Sequence, residues 1–241
     1  VKALVTGASG GIGACIVDRL ADDGYDVTAV DIEPGPGGEA CDVSRRAEVE
    51  SLAARVGPVD LLVNNAAIWR FAPLESVAPA DFEQVMAVNL LGPFHLTQVF
   101  GAAMLRAGAG AIVNVVSVAA AHISPYVGAY SPSKAALLAL TRQTAYEWGP
   151  RGVRTNAVGP GLIQTEGAGM YHDEEVVRGR AAAVPTRRLG TGGDVAEVVA
   201  FLGSNRAAYV NGQVLYVDGG LSSALMGLLP RPSDVPGGSG G

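Results

Sequence analysis

The chain has 241 residues, 49% of them hydrophobic and only 17% charged, with a net charge of −6. That length supports one large domain with a substantial core, and the acidic balance gives no general electrostatic reason to bind nucleic acid. Cys15 and Cys41 are too few for a disulfide framework or a four-thiolate metal site, and no stretch approaches the roughly 18 uninterrupted apolar residues of a membrane span. A cytoplasmic protein is expected, with no membrane and no nucleic-acid partner.

In chain order, short apolar runs alternate with helix-length segments. Ala3-Leu4-Val5 reads as a strand. The opening residues lack the long apolar region of a secretory signal, so little leader is expected before the fold. A helix is predicted over 12–22 and a second strand over Asp26–Val30. A helix around Arg45–Arg55, a strand at Asp60–Val63 and a long helix over Asp81–Leu105 follow. Ala111–Val116 is a strand and Tyr130–Glu147 a helix. Val153–Val158 and Val214–Val217 complete the strand set. The strands carry little polar alternation, as in a parallel sheet covered by helices on both faces. The βαβα order implies an α/β fold: a single doubly wound, Rossmann-type domain with a mostly parallel sheet of about seven strands. Residues 161–190 form a long stretch between strands with one helical patch, Asp173–Ala182, and read as a candidate lid. The domain is expected to span 1–228. A tail over 229–241, rich in Pro, Gly and Ser, is expected to be disordered or held by a neighbouring subunit.

Between the first strand and first helix stands Thr6-Gly7-Ala8-Ser9-Gly10-Gly11-Ile12-Gly13. Gly7 can make the tight turn, Gly11 can let backbone approach a pyrophosphate, and Gly13 can let the helix pack closely. The helix N-terminus would then face the phosphates. Taken alone, this is also how an ordinary glycine-rich turn looks. Asp31, eighteen positions after Gly13, ends the second strand. An acid there can accept hydrogen bonds from an adenosine ribose, although a strand-capping surface acid would read the same. Together the two features point to a dinucleotide, and the acid points to NAD.

Tyr130 and Lys134 are four apart at the start of a helix and therefore share a face. A lysine ammonium near a phenol favours the phenolate. Such a tyrosine can take a proton from an alcohol and, in reverse, return it. Ser117 ends the preceding strand and can donate to the substrate oxygen.

The glycine loop, Asn64-Asn65-Ala66-Ala67, Asn89, Ser117, Tyr130-x-x-x-Lys134 and Pro160-Gly161 stand in an order that resembles the short-chain dehydrogenases/reductases. The resemblance runs from about residue 2 to Leu221 and implies roles position by position. Ser117 would polarise the substrate, Tyr130 would act as acid/base, and Lys134 would also hold the nicotinamide ribose. Asn89 would place a water through its backbone carbonyl. Around the dinucleotide the resemblance puts Gly7, Ser9, Gly10, Gly11, Ile12 and Gly13, then Asp31 and Ile32, and Asp42 with Val43 at the adenine. Further along come Asn65, Ala66, Ala67 and Val88. The resemblance puts Val158, Pro160 and Gly161 where the family holds the nicotinamide, with Thr165 near its carboxamide or phosphates, and Ile163 is also expected at the cofactor. Ala67 departs from the family's glycine there, and a methyl should be tolerated. The resemblance also implies a homotetramer built through the long helix, the Tyr130 helix and the last strand, with Leu137, Leu138 and Leu140 among the outer apolar residues.

Substrate-pocket candidates are Trp69, Phe71, His122, Ile123, Tyr126, Met170 and Tyr171, each of which could equally be core or loop. No His/Cys/Asp/Glu cluster has metal-ligand spacing, so no metal is expected. Arg178, Arg180, Arg187 and Arg188 form either a solvated basic face or a place for an acidic carrier or a carboxylated substrate. The leading expectation is an NAD-dependent secondary-alcohol dehydrogenase or ketone reductase. An NADPH-dependent 3-oxoacyl-carrier-protein reductase and a non-enzymatic dinucleotide sensor are the alternatives.

Overall fold

A computed structural model describes residues 1–165 and 173–224. The elements run β1 (Lys2–Thr6), α1 (Gly11–Asp22), β2 (Asp26–Asp31), β3 (Glu39–Ala40), α2 (Arg46–Val56), β4 (Leu61–Asn64), α3 (Pro79–Met86), α4 (Gly92–Ala107), β5 (Gly110–Val115), α5 (Tyr130–Trp148), β6 (Val153–Pro160), β7 (Ile163–Gln164), α6 (Glu174–Ala183), β8 (Gly190–Thr191), α7 (Gly192–Gly203) and β9 (Val214–Val217). Seven strands form one parallel sheet in the order β3-β2-β1-β4-β5-β6-β9. The expected doubly wound, Rossmann-type sheet is therefore present.

Both faces of the sheet are apolar, which explains the missing alternation. Ala3, Val5, Leu61, Val63, Ala111 and Val113 point to the layer that holds α1 and α7. Their neighbours Leu4, Leu62 and Ile112 point the other way, onto Val49 and Leu52 of α2 and Leu96, Phe100 and Met104 of α4. Each such side chain contributes about 1.5–3 kcal/mol by leaving water. The chain's order reverses between β1 and β4, and a crevice opens there beyond the carboxyl ends of the strands. Asn64 and Asn114 are register partners across β4 and β5. Asn64 Nδ2 donates to Asn114 Oδ1 at 2.8 Å, and Asn114 Nδ2 donates to Thr141 Oγ1 of α5 at 2.8 Å. This polar chain fixes α5 against the middle of the sheet.

Several elements differ from expectation. The long helix runs over Pro79–Ala107 but is broken by a π-turn at Ala87–Leu91. By length and composition it could cross a membrane, yet Leu96, Phe100 and Met104 are buried in the core. Leu137 and Leu138 are buried against Val116 and Ala157 within the chain, so these two are not outer residues. Helix α7 was not anticipated. Its start is marked by a capping box, in which Thr191 Oγ1 accepts from the Asp194 N–H and Asp194 Oδ2 accepts from the Thr191 N–H. The candidate lid is fastened at its base, where β7 pairs with β8 through Ile163–Gly190 and Gln164–Thr191. Its helical patch is α6, capped by Asp173. Met170, Tyr171 and the tail over 229–241 lie outside the described residues.

Candidate active site

The glycine loop leaves β1 and enters α1 through two contacts that exclude side chains. Gly7 has φ +65°, and a Cβ there would lie 2.8 Å from Ala66 Cα. A Cβ on Gly13 would lie 1.9 Å from the Gly7 carbonyl oxygen, so Gly13 seats the helix on the loop itself. Asn65 locks the same turn from β4, its Nδ2 donating to the carbonyls of Thr6 at 2.9 Å and Gly7 at 3.0 Å. Thr6 Oγ1 accepts the N–H groups of Asn65 and Ala66, both at 3.1 Å.

Helix α1 begins without a side-chain cap, which leaves first-turn N–H groups for an anion. A Cβ on Gly10 would meet nothing within 4 Å, so this end opens into the crevice. The crevice is a cleft of about 630 Å³. Its walls include Gly7, Gly10, Gly11, Ile12 and Gly13 on the loop, Asp31 and Ile32 after β2, and Asp42 and Val43 after β3. Asn65, Ala66, Ala67 and Trp69 follow β4, Val88 comes from the π-turn, and Pro160, Gly161, Ile163 and Thr165 close the far side. Ser117, Tyr130 and Lys134 line the same cleft. A glycine cradle, an uncapped helix end and an acid at the β2 edge in one elongated cleft fit a dinucleotide.

Asp31 does two jobs. Its Oδ2 accepts the Ser9 N–H at 3.0 Å and its Oδ1 the Glu33 N–H at 3.4 Å. Each oxygen keeps capacity to accept a further hydrogen bond, and Asp31 lines the cleft. Ser9 is not among the walls. It acts by pinning Asp31, and its hydroxyl donates to the Glu33 carbonyl at 2.9 Å.

At the other end, α5 carries the reactive pair. Burial raises the Tyr130 phenol, and a hydrogen bond with the Ser117 side chain partly offsets this. Lys134 is fully enclosed. Its Nζ donates to the Val115 carbonyl at 2.8 Å and lies 5.8 Å from the Tyr130 ring centroid. Desolvation lowers its pKa to about 7, so near neutral pH it divides between amine and ammonium. Burial acts on both groups against charge, so the phenol stands above its ordinary value and the lysine below its own.

Asn89 sits in the π-turn and is buried. Its Oδ1 accepts the Ile68 N–H at 2.8 Å, and its Nδ2 donates to the Ile68 carbonyl at 2.9 Å and to Ser133 Oγ at 3.0 Å. It does not line the cleft but holds the strip that does. A π-turn inside an α-helix is a common mark of a functional position.

Of the pocket candidates within the described residues, Trp69 lines the cleft, while His122 and Tyr126 are exposed on the loop before α5. His122 sets its ring edge-on to Tyr216 at 6.4 Å. Val30, Cys41, Ile68, Val115 and Val116 also line the cleft and were not anticipated. Val30, Cys41, Val115 and Val116 stand within one residue of a strand's carboxyl end, so parallel register was the available signal for them, whereas Ile68 lies four residues past β4. Burial raises the Cys41 thiol to about 11, which leaves it an apolar wall.

A family model described as enoyl-(acyl carrier protein) reductase matches residues 7–222. The D-threitol dehydrogenase of Mycolicibacterium smegmatis is 37% identical over 237 residues, covering 90% of this chain and 91% of that protein. A 3-oxoacyl-(acyl-carrier-protein) reductase of Staphylococcus epidermidis is 34% identical over 240 residues, covering 91% of this chain and 98% of that one. Among solved structures, a gluconate 5-dehydrogenase from Burkholderia cenocepacia in complex with NADP and tartrate superimposes with a TM-score of 0.86. It shares 32% identity over 92% of this chain and 95% of that one. Levodione reductase superimposes with a TM-score of 0.85 at 32% identity, covering 92% and 98%. On the match of the family model over most of the chain and these identities over nine-tenths of it, the chain belongs to the short-chain dehydrogenases/reductases and is an oxidoreductase of that family.

Proposed function

We propose that the chain is an NAD-dependent dehydrogenase of secondary alcohols, or in reverse a ketone reductase, with Tyr130 as acid/base. The observation that carries this reading is the pairing of the Ser117 and Tyr130 hydroxyls at one end of the cleft, with Lys134 enclosed behind them. A nicotinamide dinucleotide, when bound, supplies the hydride acceptor or donor. The glycine loop and the N-terminus of α1 hold its phosphates, Asp31 its adenosine ribose, and Lys134 the ribose at the reacting end. Ser117 orients the substrate oxygen. Tyr130 takes the hydroxyl proton as the carbon is oxidised, and gives it back in reduction. Asn89 keeps Ile68 and Trp69 in place. Support for NAD over NADP comes from the carboxylate of Asp31, although the Burkholderia relative was solved with NADP.

The insertion over 161–190 is read as a lid hinged at β7–β8. The active form is read as a homotetramer through α4, α5 and β9. Strand β9 ends the sheet with an open edge, and Tyr146 on α5 is exposed, both of which a partner would cover. The Staphylococcus relative favours a second reading, reduction of acyl-carrier thioesters with NADPH. Against it, Arg188 is engaged by Asp194 in a two-point ion pair at 2.7 and 2.8 Å, and Arg187 donates to the Ala182 carbonyl.

Tyr130→Phe tests the reading. Turnover should fall at least 100-fold, within the range that acid/base catalysis supplies, while NADH binding stays close to wild type. A variant that keeps more than about a tenth of the turnover overturns Tyr130 as acid/base.

A further inference from the structure

Five exposed apolar side chains gather on two loops: Trp69, Phe71 and Leu74 after β4, and Ile123 and Tyr126 before α5. The loops are tied together. The Ala72 N–H donates to the Tyr126 carbonyl at 3.0 Å, Ala72 bridges to Val127, and Gly128 stands so close that a Cβ would lie 2.9 Å from the Arg70 carbonyl. Tyr126 has φ +62°, a conformation a tyrosine rarely adopts unless its surroundings enforce it. Here the paired strip fixes it. Trp69, half exposed, also lines the cleft that holds Ser117 and Tyr130. The rim therefore meets the cleft at Trp69, and an exposed apolar patch of this kind marks a binding surface.

Two of the polar side chains on these loops are engaged away from the five apolar ones. Arg70 donates to Gln84 Oε1 at 3.3 Å and lies 3.8 Å from Asp81, both on α3. His122 is set against Tyr216. A polyol or sugar acid would bring several hydroxyls or a carboxylate against these five apolar side chains and lose water from each with few partners of matching chemistry among the described residues of the rim. A ring or branched hydrocarbon loses nothing and gains apolar and aromatic contact.

We propose that this rim receives the apolar body of the substrate, so that the preferred alcohols are ring-bearing hydrocarbons with one reacting oxygen rather than polyols or sugar acids. The proposal rests on the dehydrogenase reading above. It assigns the occupant as substrate because Trp69 belongs to both the rim and the cleft.

The test is steady-state oxidation by the full chain with NAD of 1-phenylethanol, cyclohexanol, 2-butanol, D-threitol and D-gluconate, and reduction of the matching ketones with NADH and NADPH. The expected result is a kcat/KM for 1-phenylethanol at least tenfold above those for threitol and gluconate. Phe71→Ser and Ile123→Ser should each lower the 1-phenylethanol value at least fivefold through KM, with a smaller loss for 2-butanol. Saturation-transfer NMR of acetophenone with the NADH-loaded protein reads binding without turnover, and its signal should weaken in both variants. Equal or better use of threitol or gluconate overturns the substrate class while leaving the dehydrogenase reading intact. An unchanged acetophenone signal in both variants also overturns it. So does a changed sedimentation coefficient in Phe71→Ser, which would make the rim an interface between copies. No turnover of any compound with either cofactor overturns the dehydrogenase reading, and the proposal with it.

Discussion

Asn89 Nδ2 donates to Ser133 Oγ at 3.0 Å, and the serine hydroxyl in turn donates to the Tyr130 carbonyl at 2.7 Å. The π-turn and the first turn of α5 are thereby joined through one buried hydroxyl. Ser133 touches neither the cleft nor the Tyr130 ring, so its effect on chemistry would be one of position. Ser133→Ala removes an acceptor from Asn89 and a donor to Tyr130. A net hydrogen bond contributes about 1 kcal/mol, and a buried group left unpaired costs about 1–3. The expected outcome is a kcat lowered about five- to twentyfold, the equivalent of about 1–2 kcal/mol, with KM for NAD within twofold. Stopped-flow and steady-state kinetics check it. An unchanged kcat would limit Ser133 to a local helix contact.

How much of this was legible in the sequence depends on how local the signal is. Gly7, Gly13, Asp31, Tyr130 and Lys134 work through spacing along one or two elements, and spacing is visible in a string of letters. Helix α7 had a local signal too, the Thr191-x-x-Asp194 box, but the glycines Gly190, Gly192 and Gly193 around it read as loop. The Asn89–Ile68–Ser133 network joins three segments, and no periodicity reports it. Likewise Leu137 and Leu138 look like a surface seam by count. Their burial follows only once β5 and β6 are known to lie beneath α5. The burial of Tyr130 and Lys134 is a case of the same kind. Their spacing was readable, whereas their loss of water depends on everything packed around them.

Gly13→Ala should destabilise the protein sharply. Its Cβ would stand 1.9 Å from the Gly7 carbonyl oxygen and 2.7 Å from Asn65 Nδ2. Neither neighbour can retreat, because Asn65 is bound to Thr6 and Gly7. Overpacking of this kind costs about 1–3 kcal/mol, sometimes more. A fall in Tm of several degrees is expected, together with a loss of NADH affinity. The control is Gly10→Ala, which meets open space and should change stability by less than about 1 kcal/mol. Similar thermal curves for the two variants would refute the close seat of α1.

Lys134 ties stability to pH. Burial lowers its pKa from an ordinary 10.5 to about 7. Below pH 7 the folded and unfolded chains both carry the proton, and the folded chain bears the full cost of an enclosed charge. Between 7 and 10.5 only the unfolded chain binds it. Stability from this group then rises with pH by about 1.4 kcal/mol per pH unit. Lys134→Met has no such charge. It should be more stable than the wild type at pH 6, by a few kcal/mol on the order expected for an unpaired buried charge, and the gap should narrow at pH 9.5. Guanidinium unfolding of the ligand-free proteins at both pH values measures it. A gap independent of pH would mean that the lysine is not desolvated.

Cofactor choice turns on Asp31. The carboxylate is held by the Ser9 and Glu33 N–H groups, which use one lone pair of each oxygen and leave the others for two ribose hydroxyls. A 2′-phosphate would stand against the same carboxylate. Like charges about 4 Å apart cost on the order of 4 kcal/mol at an effective dielectric of 20, and Glu33 adds to the repulsion. A nearby cation could offset this, but the candidates among the described residues of the adjoining stretch are engaged. Arg45 sits between Asp42 and Glu48, Arg46 pairs with Glu50, and Arg55 pairs with Glu39. NAD should therefore be preferred at least tenfold in kcat/KM, or about 1.4 kcal/mol. Asp31→Ala removes the ribose acceptor and frees the Ser9 N–H together, so it should narrow the gap chiefly by weakening NAD use. Asp31→Asn keeps an acceptor for Ser9 but drops the charge, and should raise NADP use more than it harms NAD. Steady-state kinetics with both cofactors on the three proteins separate charge from geometry. Equal use of the two cofactors by the wild type would remove Asp31 as the discriminating residue.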